Sequence, residues 1–307
     1  MKFSYCKILF LFIVVNIIFI TFANFSTADL NEDLVAWYPF NDNANDESGN
    51  ENHGTIFGAS ISKDRFNNPN SCLMFDGIND SVQIKMNSDF HFKNASVTYS
   101  VWVVIEDNSN TYRPFVSIAD KNDDTPRISL AKSRSGYLEG RIYMQLYDGK
   151  NHSIALSQKN GDNLPKNEWL HIVGMIDYSS SKLYLFINGE LQQSVEIFDY
   201  DLTSVDNLGV ALGTFVGERG YHKGFLDDIR IYNKALTKEE IDDLYYEEAA
   251  LFGCIKMKNK KITNSSAMLI QSNEYHQKIN LDANGCYKFN KFNDEKPFTV
   301  IIRGNNE

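Results

Sequence analysis

Oxygen-bearing side chains crowd one short stretch near the start of the chain, and they suggest the chemistry of a hard metal ion. Asp42, Asn45 and Asp46 follow a short apolar run there, and the pair Asp227-Asp228 begins another apolar run much later. Calcium binds several carboxylate, amide and carbonyl oxygens at once. We therefore predict a structural calcium ion held by Asp42, Asn45, Asp46 and Asp228. The alternative is an ordinary Asn/Asp turn without metal.

Aromatic and polar side chains in the predicted loops could contact a sugar. Residues of this type are Tyr112 with Arg113, Tyr137, and Tyr221 with His222. Small-molecule sites combine apolar and aromatic surface with a few polar groups that fix orientation. We predict ligand binding by Tyr112, Arg113, Tyr221 and His222, with ordinary packing or surface roles as the alternative.

The residues give less support to catalysis. A retaining glycosidase needs two carboxylates about 5–5.5 Å apart, and no strand-like segment carries such a pair. The nearest acidic cluster, residues 240–247, lies in a predicted helix. His171 alternates with apolar residues, as a structural histidine would, and the histidines lack metal-type spacing. The sequence therefore predicts a protein that is not an enzyme.

Composition and the first residues predict where the protein acts. The chain has 307 residues, of which 43% are hydrophobic and 23% charged, and its net charge is −10. This composition is globular, and the acidic balance argues against nucleic acid as a partner. An apolar run at 8–22 predicts a signal peptide over residues 1–28, with an uncleaved anchor as the alternative. We predict a secreted, extracellular or cell-surface protein that contacts a membrane only if this segment is retained.

Strands must position the candidate residues, because apolar residues recur with period two through most of the chain. Residues 97–103 and 141–147 alternate in this way. The pair Asn188-Gly189 separates two such runs and predicts a hairpin, because both turn residues need positive φ. Many short strands predict an all-β sandwich or jelly roll.

One helix is predicted over residues 237–248. Thr237 and Glu240 have the spacing of a capping box at its start. Ile241, Leu244 and Tyr245 then form one apolar stripe along the helix.

Segments in a fixed order give the chain a family resemblance. They are LVAWYPF at 34–40, NDESGN at 45–50 with HGT at 53–55, LMFDGIND at 73–80, the strand of Trp102, EWLHIV at 168–173, LFING at 185–189 and GFLDDIRIYNKAL at 224–236. Together they resemble bacterial LamG-like (laminin G-type) jelly-roll domains over residues 33–247. The resemblance implies a concanavalin A-like sandwich of two antiparallel sheets, neighbouring first and last strands, and a structural calcium as in many relatives.

The resemblance also implies a function. It favours a non-catalytic binding or adhesion module that recognises a carbohydrate or a glycoprotein surface. A glycoside-active enzyme of the same fold and a purely structural exoprotein are the alternatives.

Alternation along the last strand assigns the acidic pair to opposite faces. Asp228 would share a face with Arg230 and Tyr232, and Asp227 would share the other face with Ile229. Arg230 is an alternative partner for these acids, and such pairing would weaken a calcium site.

Residues 253–307 predict a small second module. The segment resembles carboxypeptidase-regulatory-like β-sandwich modules. Cys254 and Cys286 each share a strand face with a lysine, and adjacent strands would let them bond, so we predict a disulfide between them. Free thiols are the alternative, and Cys72 is predicted to be buried in either case.

Overall fold

A computed structural model describes most of the chain. It describes residues 29–106, 111–120, 127–159, 163–200, 208–217 and 219–246, together with the backbone of strands between 250 and 303. The predicted signal peptide lies outside the described residues. Within these ranges, no helix has the length and apolar character needed to cross a bilayer.

The described elements are almost all strands. In chain order the strands before the helix are β1 (Leu34–Tyr38), β2 (Gly54–Phe57), β3 (Ser60–Ser62), β4 (Cys72–Asp76), β5 (Ser81–Ile84), β6 (Val97–Ile105), β7 (Arg113–Asp120), β8 (Arg127–Lys132), β9 (Ile142–Tyr147), β10 (His152–Leu156), β11 (Trp169–Asp177), β12 (Lys182–Ile187), β13 (Glu190–Glu196), β14 (Leu208–Leu212), β15 (Thr214–Phe215), β16 (Arg219–Tyr221) and β17 (Lys223–Tyr232). After them come the helix α1 (Lys238–Tyr246) and the strands β18 (Ala250–Cys254), β19 (Ser266–Gln271), β20 (Tyr275–Asn280), β21 (Cys286–Asn290) and β22 (Phe298–Arg303). Two single-turn 3₁₀ helices, Ser88–Phe90 and Leu138–Gly140, lie in connections.

Two antiparallel sheets form the sandwich. The first sheet has the order β13-β12-β11-β6-β17-β4-β3, and β1 also pairs with β17. The second sheet has the order β10-β9-β8-β7-β14-β5-β2. Strands β15 and β16 form a separate short hairpin. The predicted all-β sandwich is therefore confirmed, as is the pairing of first and last strands.

The core lies between the two sheets, and strand alternation decides which residues enter it. In β6, Val97, Tyr99, Val101 and Val103 are all buried in this core. The predicted face of that strand is therefore confirmed. The alternate residues of each strand lie on the outer faces of the sheets.

The local signals for the helix and the hairpin are also confirmed. Glu240 N donates to Thr237 Oγ1 at 3.2 Å, and Thr237 N donates to Glu240 Oε2 at 2.7 Å, which is a complete capping box. Ile241 and Leu244 are buried on the outer face of the first sheet. Asn188 and Gly189 both have positive φ, 50° and 77°, in the turn between β12 and β13.

A β-bulge in β17 overturns the predicted separation of the two acids. The register shifts between Asp227 and Arg230, and Asp228 has a φ of 43°. The extra residue places both carboxylates on the outer face, where both contact Arg65, while Ile229 enters the core. The prediction that Asp227 shares a face with Ile229 was wrong because strict alternation does not hold through a bulge.

The backbone of the C-terminal strands brings the two cysteines together. Strands β18 and β21 pair antiparallel, and Cys254 and Cys286 are direct Cα partners. Direct partners on antiparallel strands have Cα atoms about 4.5–5.5 Å apart, which lies within the Cα spacing that a disulfide requires. The disulfide stays a prediction, and this register supports it. The resemblance of this segment to carboxypeptidase-regulatory-like modules also stays a prediction.

Candidate functional site

A pocket of about 270 Å³ opens on the outer face of the second sheet. We call it the aromatic pocket. Its lining residues are Tyr112, Arg127, Tyr137, Tyr143, Gln145, Phe215 and Gly220. They come from β8, β9, the β15–β16 hairpin and the segments before β7 and β9, so the pocket is assembled from parts distant in sequence.

Strand alternation in β9 builds the floor of the aromatic pocket. Met144 is buried in the core, so its neighbours Tyr143 and Gln145 face outward. Their partners on β8 are the small residues Ala131 and Ser129. The combination of large residues on β9 and small residues on β8 leaves a depression in the sheet surface.

The β15–β16 hairpin forms one wall by folding over the second sheet. Val216 in its turn packs on Ala119 and Ala211, two small outward-facing residues of β7 and β14. Phe215 packs against Tyr143 beside them. The small side chains of the sheet therefore receive the hairpin and hold Phe215 at the edge of the pocket.

Tyrosine rings form the opposite wall. The Tyr112 ring meets Phe215 edge to face at 5.8 Å and Tyr137 at 6.4 Å between ring centroids. Arg134 places its guanidinium carbon 5.8 Å from the centre of the Tyr112 ring. Gly220 has a φ of 74°, and a Cβ there would lie 3.3 Å from the Tyr112 Cβ, so glycine lets the hairpin approach closely. Tyr137 is 41% exposed and presents its ring to solvent.

The polar groups of the pocket are oriented by their neighbours. Gln145 Oε1 lies 3.1 Å from His152 Nε2. A carbonyl oxygen only accepts, so this ring nitrogen donates and the Gln145 amide NH₂ stays available to a ligand. Burial lowers the pKa of His152, and the positive charge of Arg127 lowers it further. Arg127 in turn lies over the Tyr147 ring at 5.2 Å.

The structure separates the four predicted ligand-binding residues. Tyr112 lines the aromatic pocket. Arg113 is buried, and its Nη1 donates to the Tyr221 carbonyl oxygen at 2.8 Å, so these two residues hold the base of the hairpin. His222 lies in the core with its Nε2 3.1 Å from the Val104 carbonyl oxygen. The prediction of His222 as a ligand contact was wrong because its ring is fully covered.

Hydrogen bonds occupy the acceptor positions of the carboxylate of Asp46, a predicted calcium ligand. Its Oδ1 accepts from the backbone N–H groups of Trp37 at 2.8 Å and Ser48 at 2.9 Å. Its Oδ2 accepts from Asn52 N and Ser48 Oγ, both at 2.9 Å. A carboxylate has about four acceptor positions, so no oxygen is left for a cation.

Both carboxylate oxygens of Asp228, another predicted calcium ligand, also accept hydrogen bonds. Its Oδ2 accepts from Arg65 Nη2 at 2.8 Å and its Oδ1 from Trp37 Nε1 at 3.1 Å. The other end of the guanidinium contacts Asp227 at 2.8 Å. The two acidic stretches do meet, because Asp46 and Asp228 both contact Trp37. The positive charge beside the Asp227-Asp228 pair, however, is that of Arg65.

The remaining predicted ligands do not restore a metal site. Asp42 and Asn45 are exposed loop residues. In the part of the chain that the structure describes, no three His, Cys, Asp or Glu side chains are grouped to hold a metal ion. The predicted set of calcium ligands therefore does not fit the ion.

A buried Ser–His pair has the spacing of a nucleophile and its base but lacks the other requirements. Ser100 Oγ lies 2.8 Å from His171 Nε2, and the two residues are 2% and 1% exposed. Tyr245 stacks on the His171 ring, whose Nδ1 has no hydrogen-bond partner among the described residues. Burial first, and then the positive charges of Arg65 and Arg230, lower the pKa of His171 to about 3. Without access or an orienting third group, this pair is structural.

The buried His171 predicts a stability change with pH. Its folded-state pKa lies below the ordinary value of 6.5, so its contribution is present above pH 6.5 and is lost as the pH falls toward 3. We expect the free energy of unfolding to fall by about 2 kcal/mol more between pH 7 and pH 5 in the wild type than in His171→Gln. Urea unfolding at both pH values measures this, with exposed His91→Gln as the control. Equal losses in the wild type and His171→Gln would contradict the assignment.

Two packed antiparallel sheets in this order define a jelly-roll sandwich. The family model Laminin_G_3, described as the concanavalin A-like lectin/glucanases superfamily, matches residues 76–242. The matched segment is more than half of the chain, and the protein therefore belongs to this superfamily. No curated protein sequence matches the chain significantly.

Solved structures show the same fold. Domain 4 of AbnA, a GH43 extracellular arabinanase from Geobacillus stearothermophilus in complex with arabinotriose, matches with a TM-score of 0.54 and 21% identity over 69% of this chain and 98% of that one. The binding domain of Paraclostridial Mosquitocidal Protein 1 matches with a TM-score of 0.56 and 17% identity over 79% of this chain and 59% of that one. The botulinum neurotoxin serotype D ligand binding domain in complex with N-acetylneuraminic acid matches with a TM-score of 0.54 and 17% identity. This match covers 79% of this chain and 58% of that one. At these identities the likeness establishes the fold alone, and the chain spans under two thirds of the two toxin domains.

Proposed function

We propose that the sandwich is a non-catalytic module that binds carbohydrate in the aromatic pocket. The observation that carries the proposal is the cluster of Tyr112, Tyr137 and Phe215 rings beside the amide of Gln145. Ring faces pack against the apolar C–H face of a sugar, and an oriented amide donates to its hydroxyl groups. The volume of about 270 Å³ is close to the lower end of the range for small-molecule pockets, about 300–1,000 Å³.

The structural neighbours support a ligand of this class. The arabinanase domain is in complex with arabinotriose, and the neurotoxin domain is in complex with N-acetylneuraminic acid. These two sugars differ in ring size and charge, so they support carbohydrate as a class and leave the choice of sugar to the pocket. We also propose action outside the cell, as predicted from the apolar N-terminal segment.

The lining of the pocket favours binding over hydrolysis. Glycoside hydrolysis uses two carboxylates that flank the bond. The described residues that line the aromatic pocket include none. The acidic pair Asp227-Asp228 lies on the other sheet and is neutralised in part by Arg65.

Binding to an array of immobilised neutral and acidic glycans tests the proposal. We expect the full chain to bind a defined set of glycans, and Tyr137→Ala to lower the apparent affinity for them at least about tenfold, as loss of an aromatic anchor does. Phe57→Ala is the matched control, because Phe57 is an aromatic residue that is 51% exposed on the far edge of the same sheet. Runs with calcium and with EDTA should give the same signals.

The array also separates the alternatives. Silence of the wild type across the array would contradict carbohydrate binding and favour a purely structural exoprotein. Release of shorter sugars from a bound glycan would contradict a non-catalytic role.

A further inference from the structure

A row of apolar side chains crosses the outer face of the first sheet, on the opposite side of the sandwich from the aromatic pocket. Trp169 is the partner of Val104, Val104 is the partner of Phe225, and Phe225 is the partner of Met74. The four residues therefore lie side by side on β11, β6, β17 and β4. Neighbouring strands are about 4.8 Å apart, so the row is about 14 Å long. We call it the Trp169 row.

The Trp169 row has the exposure and shape of a contact surface. Trp169 and Phe225 are partly exposed, with ring centroids 6.1 Å apart, and Met74 is 38% exposed. A groove of about 200 Å³ lies along the row. Its lining combines Trp169, Val104 and Phe225 with the polar residues Lys63, Glu106 and Asn167.

The polar residues of the groove have unused hydrogen-bonding capacity. The side chains of these three residues, Lys63, Glu106 and Asn167, form no hydrogen bond or ion pair with any residue that the structure describes. The ammonium and the amide NH₂ are donors, and the carboxylate is an acceptor. The groove therefore offers both donors and acceptors beside an aromatic ring, with one positive and one negative charge.

We infer that the Trp169 row is a second carbohydrate-binding surface, which takes a short oligosaccharide. Sugar units present apolar C–H faces and hydroxyl groups that both donate and accept, and the groove matches both features. A protein partner fits less well, because a standard protein interface buries about 800 Å² on each side, more than four side chains provide. The inference stands on the groove's own residues and does not require the aromatic pocket to bind.

Two binding surfaces on one domain would act together on a polysaccharide. When one site is engaged, the second binds at a high effective concentration, and avidity rises by up to about 10²–10⁴-fold if the geometry allows both contacts. The domain would then hold or bridge polysaccharide chains.

Variants of each surface, run on the same glycan array, test the inference. We expect Tyr137→Ala to retain weaker binding, Trp169→Ala to lower the apparent affinity at least about tenfold, and the double variant to lose binding. Leu191→Ala, an exposed apolar change on β13 of the same sheet, is the control. The change Lys63→Ala with Glu106→Ala removes polar groups of the groove, leaves the aromatic packing intact and should weaken the same signals, which separates lost contacts from misfolding. Asn167 is left unchanged because its φ of 58° favours asparagine over alanine.

The two sites fail in different ways. Unchanged binding by Trp169→Ala, or complete loss in Tyr137→Ala alone, overturns the second surface and leaves the pocket. Unchanged binding by Tyr137→Ala with loss in Trp169→Ala overturns the pocket and leaves the second surface. A silent wild type overturns both.

Discussion

Arg65→Leu is expected to lower the free energy of unfolding by about 3–5 kcal/mol, because it leaves the buried acidic side chains of Asp227 and Asp228 without the cation that contacts both. The guanidinium contacts Asp227 and Asp228 at 2.8 Å each, and all three side chains are nearly covered. Arg65 also lies over the Trp102 ring at 4.4 Å, so the change removes a packed cation as well. Chemical denaturation at neutral pH measures the loss.

The loss should grow with pH. Burial first, and then the charge of Asp228, raise the pKa of Asp227 to about 8 against the opposing effect of Arg65. The ordinary pKa of this carboxyl is 3.8, and the folded-state pKa is higher. The contribution of Asp227 to the free energy of unfolding is therefore fully present below pH 3.8 and is lost as the pH rises to 8. Without Arg65, ionising the buried Asp227 costs more free energy, because no cation lies beside it. Arg65→Leu should therefore lower the free energy of unfolding more at pH 8 than at pH 5.5.

A surface ion pair provides the matched control for this change. Arg141 contacts Glu139 at 2.8 Å, but these side chains are 31% and 66% exposed, far more than those of the Arg65 network. Arg141→Leu should therefore cost less than about 1 kcal/mol. Equal losses from Arg65→Leu and Arg141→Leu would show that the buried network has no special role.

Asp46→Ala is expected to cost about 3–5 kcal/mol whether or not calcium is present. The change leaves the backbone N–H groups of Trp37, Ser48 and Asn52 without their acceptor, and each buried unsatisfied donor costs about 1–3 kcal/mol. These bonds tie the first loop to β1. Thermal unfolding in calcium and in EDTA should therefore show the same large decrease in melting temperature.

Asp42→Asn is the control for the loop. Asp42 is exposed and has a φ of 64°, a conformation that asparagine also adopts, so the change should stay within about 0.5 kcal/mol. A melting temperature that rises with calcium in the wild type, but not in Asp46→Ala or Asp42→Asn, would support the predicted metal site.

Sequence patterns predicted the features that depend on neighbours along the chain. The alternation at 97–103 gave the buried face of β6, and the spacing of Thr237 and Glu240 gave the helix start. The alternation at 141–147 also puts Tyr143 and Gln145 on one face, and this signal could have found the pocket floor.

Contacts between distant segments could not be predicted in the same way. Arg65 reaches the acids of β17 from a loop more than 160 residues earlier, so its pairing has no local signal. The bulge at Asp228 breaks the period that would have separated those acids. Phe215 joins Tyr112 only because small residues of the second sheet receive the hairpin. His222 looked like a loop residue, yet it precedes β17 directly and is buried with it.

Hydroxyl-radical footprinting of the full chain tests the central claim most directly, because it reports which side chains a bound sugar covers. The probe is the strongest-binding oligosaccharide from the array, at saturation. We expect Tyr137, 41% exposed in the free protein, to be protected together with Tyr112, while Phe57, 51% exposed, keeps its reactivity. Bound sugar that leaves Tyr112 and Tyr137 as reactive as in the free protein would contradict binding in the aromatic pocket.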